Sequence, residues 1–136
     1  MQNAKITVVT KRFDEEYSNY LILAWTEFDE KYKVFKETSG NTSEVEIEAA
    51  LTALGLIAKM NWNAEIYCSP NIINWANGKW RTNAESTRYF KSYVDTMRED
   101  HIINYVDRPE RGLYNRMERY LEKKYKSYRE GDGGYE

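Results

Sequence analysis

Short apolar runs separated by polar stretches fill the first third of the chain, and their boundaries mark its elements. Ala4–Thr10 (AKITVVT) is short, β-branched and apolar, which predicts a buried strand. Lys11–Asn19 is polar and predicts a turn. Tyr20–Thr26 (YLILAWT) predicts a second strand, Glu27–Lys31 a charged turn, and Tyr32–Thr38 a third strand by alternation. Connections this short predict an antiparallel meander. Ser39, Gly40 and Asn41 then carry loop chemistry.

From Thr42 the period becomes helical. In Thr42–Lys59 the apolar residues Ile47, Ala50, Leu51, Leu54 and Ile57 recur on one stripe, which turns that face to a core. Ser43 is the predicted N-cap, with Glu46 three residues on as its capping-box partner. Glu44, Glu46 and Glu48 cluster at the helix start, where the macrodipole favours negative charge. Ala64–Cys68 predicts a fourth strand. Ser69 as cap and Pro70 at the first position open a short helix to Ala76, which Asn77-Gly78 ends. Asn83–Arg98 predicts a helix with Tyr89, Phe90, Tyr93, Val94 and Met97 on one face. Ile102–Val106 predicts a fifth strand and Arg108–Gly112, around Pro109, a loop. Leu113–Tyr128 predicts a last helix that buries Leu113, Met117, Tyr120, Leu121 and Tyr125. The order predicts an α/β fold: a five-stranded mixed sheet, its first three strands antiparallel, flanked by helices. A single domain over residues 1–130 is expected, with a disordered tail over 131–136.

Composition narrows the function classes. The net charge of −2 gives no bulk signal for nucleic acid. The charge is uneven, with ten acids against six bases in residues 1–50. The last helix carries Arg116, Arg119, Lys123, Lys124, Lys126 and Arg129 against Glu118 and Glu122, which reads as a solvated face. Cys68 is the only cysteine and His101 the only histidine, so neither an internal disulfide nor a zinc site of the usual ligands is expected. A cytoplasmic setting fits that cysteine usage. No apolar run resembles a signal peptide or a membrane span, so no membrane partner is expected.

Three motifs in chain order give the sequence a resemblance. Glu46-Ile47-Glu48-Ala49-Ala50-Leu51-Thr52-Ala53-Leu54 is similar to the E-x-x-A-A-x-x-A-L central helix of the ribonuclease H family. Asn74–Thr82 (NWANGKWRT) resembles the segment between that family's second and third helices, and His101–Val106 with Tyr114-Asn115-Arg116 resembles its last strand and the start of its final helix. The resemblance spans almost the whole chain. It implies a ribonuclease H-like fold and, in active members, two magnesium ions held by four carboxylates for cleavage of the RNA strand in RNA–DNA hybrids.

The implied carboxylates are mostly replaced. The first family aspartate matches Lys11 and the helix glutamate matches Glu46. The second aspartate falls on Ser69 or Pro70, and the last on Arg119, with Glu118 one residue away. The family's mobile histidine has no counterpart, since His101 lies at the start of the preceding strand. Asp14, Glu15 and Glu16 could rebuild a site only if the first strand ran longer, and a loop of solvated acids is the plainer reading. This pattern implies a catalytically inactive domain acting as a binding, inhibitor or adaptor module, with no cofactor, and a viral origin would suit it. Nucleic acid is one expected partner, gripped by Lys79, Trp80, Arg81, Arg88 and Lys91. A protein is the other, anchored by the many tyrosines. The alternative is a magnesium-dependent nuclease using Glu46, Glu118 and an acid from Asp14–Glu16. Trp75 is expected to pack the core. Lys11 is expected beside Glu46 or Glu118, its ammonium standing where a metal charge would sit.

Overall fold

The computed structural model describes residues 1–14, 16–26, 31–79, 85–107 and 111–131. Its elements run β1 (Gln2–Arg12), β2 (Ser18–Thr26), β3 (Lys31–Thr38), α1 (Thr42–Met60), β4 (Trp62–Cys68), α2 (Pro70–Ala76), α3 (Glu85–Met97), β5 (Ile103–Asp107) and α4 (Arg111–Gly131). The strands form one sheet in the order β3-β2-β1-β4-β5. β1 pairs antiparallel with β2, and β2 antiparallel with β3. β4 lies parallel to β1, and β5 parallel to β4.

Strand alternation divides the core in two. Ala4, Ile6 and Val8 of β1, Tyr20, Ile22 and Ala24 of β2, and Trp62, Ala64, Ile66 and Cys68 of β4 face α1, α2 and α3. Val9 and Leu21 point the other way, onto Met117 and Leu121 of α4. α1 contributes Val45, Ala49, Ala50, Ala53, Leu54 and Ile57 to the larger cluster, so the expected helical stripe is present. Small alanines at Ala49, Ala50 and Ala53 bring the helix close to the sheet, while Leu51 sits at the edge and is only half-buried. Trp75 packs against the same cluster, as expected.

Several boundaries differ from the sequence reading. β1 and β2 extend through the polar stretch expected as a turn, with Lys11 opposite Asn19 and Arg12 opposite Ser18. Ladder hydrogen bonds override composition there, and only the short connection around Asp14 turns. The α1 cap lies two residues earlier than expected. Asn41 Oδ1 accepts from the Glu44 N–H and Glu44 Oε1 accepts from the Asn41 N–H, each at 2.9 Å. The capping box is therefore Asn41–Glu44, and Ser43 and Glu46 lie inside the helix. Gly40, at φ +127°, makes the bend into that cap, and a Cβ there would meet the Glu44 side chain at 3.3 Å. Gly112, expected in a loop, belongs to α4. Tyr89, expected on the buried face of α3, is 58% exposed. Its neighbours Phe90 and Val94 take the core positions, so the stripe is narrower than the apolar residues imply. Gly131, expected in the tail, closes α4, and the remaining tail residues lie outside the described ones.

Candidate active-site end of the sheet

The C-terminal ends of β1 and β4 meet the N-terminal part of α1 and the first turn of α4. A small recess there is lined by Val8, Thr10, Glu46, Ser69, Ile72 and Tyr114. Glu46 is 4% exposed, one turn inside α1. A carboxylate that deep needs partners, since an unpaired buried charge is costly. Ser69 Oγ donates to Glu46 Oε2 in a short hydrogen bond, and Asn71 Nδ2 donates to Oε1 at 3.2 Å. Ser69 is also the N-cap of α2, accepting from the Ile72 N–H at 3.4 Å. One hydroxyl thus ties the end of β4, the start of α2 and the carboxylate of α1 together.

Lys11 is not part of this group. Because β1 continues in register past Thr10, the residue on the Glu46 side is Thr10, and Lys11 points to the opposite face. Its Nζ lies 3.7 Å from Glu118 Oε2 and 3.6 Å from Glu122 Oε2. The expected approach to Glu118 is present, and the approach to Glu46 is replaced by Thr10. Glu118 is engaged across that face, and Arg119 is exposed on α4. The α4 residue that reaches the recess is Tyr114. The signal that could have found Thr10 and Tyr114 is register: Thr10 shares the strand parity of Ile6 and Val8, and Tyr114 lies three residues before Met117.

Asp14, the first acid after β1, is structural rather than free. Asp14 Oδ1 accepts from the N–H groups of Glu16 and Tyr17, both at 2.8 Å, and Oδ2 accepts from the Tyr125 hydroxyl at 2.8 Å. Phe13 stacks on Tyr125 with ring centroids 4.0 Å apart. Asp14 therefore holds the β1–β2 turn to α4. Glu16 is exposed, and Glu15 lies outside the described residues. His101 Nδ1 is 2.7 Å from the Trp62 carbonyl at the far end of the sheet, consistent with its expected place on the wrong side.

The donor set does not fit the paired magnesium ions that the resemblance implies. Magnesium takes hard oxygens, chiefly carboxylates, in near-octahedral geometry. Among the described residues Glu46 is the one carboxylate lining the recess, beside the neutral hydroxyls of Thr10, Ser69 and Tyr114. Among the described residues no three Asp, Glu, His or Cys side chains gather as a metal-binding group.

The expected nucleic-acid segment is partly described. Lys79 and Arg88 are exposed, and Lys91 pairs with Asp95 one helical turn on at 2.5 Å. Trp80 and Arg81 lie outside the described residues. On α4, Arg116, Arg119, Lys123, Lys124 and Lys126 are exposed, as expected of a solvated face. Lys124 Nζ lies 5.6 Å from the centroid of the Tyr120 ring. Among the described residues no helix is long and apolar enough to cross a membrane.

No protein-family model and no curated protein sequence matches the chain. Solved structures match it in shape. Ribonuclease H1 from the halophilic archaeon Halobacterium salinarum superposes with a TM-score of 0.72 at 12% identity, covering 89% of this chain and 96% of that one. The N-terminal ribonuclease H domain of Rv2228c from Mycobacterium tuberculosis gives 0.68 at 14% identity, over 90% and 93%. LC11-RNase H1, solved in complex with an RNA/DNA hybrid, gives 0.70 at 11% identity, over 88% and 94%. The chain has the ribonuclease H fold.

Proposed function

We propose that this chain is a binding module on the ribonuclease H fold that engages nucleic acid without metal-dependent hydrolysis. The observation that supports it is Glu46. Among the described residues it is the sole carboxylate lining the recess, and each of its oxygens accepts a hydrogen bond, one from Ser69 and one from Asn71. Such a carboxylate maintains structure, and among the described residues no second carboxylate stands beside it to share a metal. No cofactor is needed in this reading. A nucleic-acid partner is supported by the likeness to LC11-RNase H1, whose structure holds an RNA/DNA hybrid. The exposed cations Lys79 and Arg88 would contact phosphates on the helical side of the sheet.

A second reading, a protein-binding inhibitor or adaptor, is favoured by one feature. Tyr89 is 58% exposed and packs edge-on against Tyr93, the kind of aromatic side chain that anchors interfaces. Binding measurements separate the two. With labelled hybrid, duplex and single strands at about 50 mM salt, the nucleic-acid reading expects affinity that falls steeply as salt rises. Lys79→Ala with Arg88→Ala should flatten that slope. Absence of binding to all three nucleic acids contradicts it and leaves the protein partner.

A further inference from the structure

Among the described residues α4 covers only part of its face of the sheet. Its contacts centre on Val9 and Leu21, toward the C-terminal end of β1. At the other end of the strands the same face opens into a cleft of about 550 Å3. That volume falls within the range of about 300–1,000 Å3 typical of small-molecule sites.

The cleft is built from one row of side chains across four strands. Lys5 of β1 is the register partner of both Trp25 of β2 and Glu65 of β4, and Glu65 is the register partner of Asn104 of β5. Asn3 and Asn63 form the next row, two residues along. All six line the cleft. Two of the polar groups are oriented by neighbours. Asn63 Oδ1 accepts from the Ile102 N–H at 2.9 Å, which leaves its Nδ2 to offer a ligand. Glu65 Oε1 accepts from the Tyr67 hydroxyl at 3.0 Å, which leaves Oε2.

The chemistry of this lining selects its occupant. Among the described lining residues one ammonium, Lys5, is matched by one carboxylate, Glu65, so the lining favours neither an anion such as phosphate nor a cation. Asn3 and Asn104 each supply a donor and an acceptor, and Asn63 supplies its Nδ2 donor. Trp25 supplies a flat, half-buried aromatic surface. A neutral, flat ligand with both donors and acceptors on its edge satisfies all of these at once. Unstacked bases are held this way, stacked on an aromatic ring and hydrogen-bonded at their edges, and asparagine pairs bidentately with adenine. We infer that the cleft bounded by Lys5, Trp25, Asn63, Glu65 and Asn104 is a binding site for a purine base, presented as a nucleoside or an unpaired nucleotide. The site is remote from Glu46 and does not depend on the reading of that end of the sheet.

The test is a titration of the full chain with adenosine and with guanosine, followed by amide and indole 1H–15N shifts. Methyl glucopyranoside and ribose are the comparison ligands. Binding should shift the Trp25 indole and the amides of Lys5, Asn63, Glu65 and Asn104, and leave Glu46 and Ser69 still. Trp25→Ala should weaken binding about tenfold or more, as expected for loss of a stacking ring, while Trp25→Phe keeps most of it. Asn104→Ala, an exposed position on an edge strand, tests the edge contacts without threatening the fold. No shift at millimolar nucleoside would overturn the proposal. So would shifts produced by the sugars alone, or nucleoside binding that Asn104→Ala and Trp25→Ala leave unchanged.

Discussion

The Ser69 hydroxyl donates to the buried Glu46 carboxylate, joining the end of β4 to the first turns of α1. A hydrogen bond to a charged group contributes more than a neutral one, and Ser69 also caps α2. Ser69→Ala removes both at once and is expected to cost about 2–4 kcal/mol. Urea unfolding should show a lower midpoint with unchanged slope. Asn71 is exposed, and Asn71→Ala should cost about 1 kcal/mol. Equal, negligible costs for both variants would mean that Glu46 is not held as described.

The Thr10 register makes a sharper test of the altered site than the charge at Lys11. Thr10→Asp with Ser69→Asp places two acids beside Glu46 in one recess, and calorimetry should detect weak magnesium binding that the wild type lacks. Lys11→Asp with Ser69→Asp should bind none, because position 11 faces Glu118. Binding by the second pair and not the first would contradict the register.

Core costs should follow depth rather than residue type. Leu54 is fully buried and Leu51 half-buried, although both lie on the apolar stripe of α1. Leu54→Ala is expected to cost about 2–5 kcal/mol, the range for buried leucines, and Leu51→Ala clearly less. Denaturant midpoints of the two variants decide it, and the reverse order would move the helix face.

The sequence made much of this architecture legible, and the reasons differ by element. The antiparallel meander followed from two short connections, and the mixed sheet from the helices that alternate with the later strands, which leave few topologies. Glu46 was marked by a helix motif. The first site position was misassigned by one residue because the polar run from Lys11 conceals strand residues. A one-residue slip moves a side chain to the opposite face. Pairing with Asn19 keeps Lys11 in the ladder, and no local preference shows that. Tyr114 was missed because the family motif directs attention to residues 118 and 119. The cleft at Trp25 was invisible because its residues come from four strands far apart in sequence.

Alkaline pH should destabilise the fold through buried tyrosines. Burial pushes the Tyr105 hydroxyl well above the ordinary tyrosine range, with lesser effects of Cys68 upward and Arg98 downward. Burial also raises Tyr20, partly offset by its hydrogen bond with Thr52. The folded state keeps protons that the unfolded chain releases. Stability from these groups is therefore fully present below about pH 10 and is lost as pH rises through the folded values. Among the described residues the Tyr105 hydroxyl is buried without a hydrogen-bond partner. Tyr105→Phe should thus flatten the alkaline loss and leave stability at pH 7 unchanged or raised by about 1 kcal/mol. A fall at pH 7 would show that the hydroxyl has a partner.

The most direct test is incubation of the wild-type chain with a labelled RNA–DNA hybrid and magnesium or manganese, alongside Glu46→Gln. The expected result is an intact RNA strand in both, whether or not the hybrid is bound. Divalent-ion-dependent cleavage by the wild type that Glu46→Gln abolishes would contradict the account.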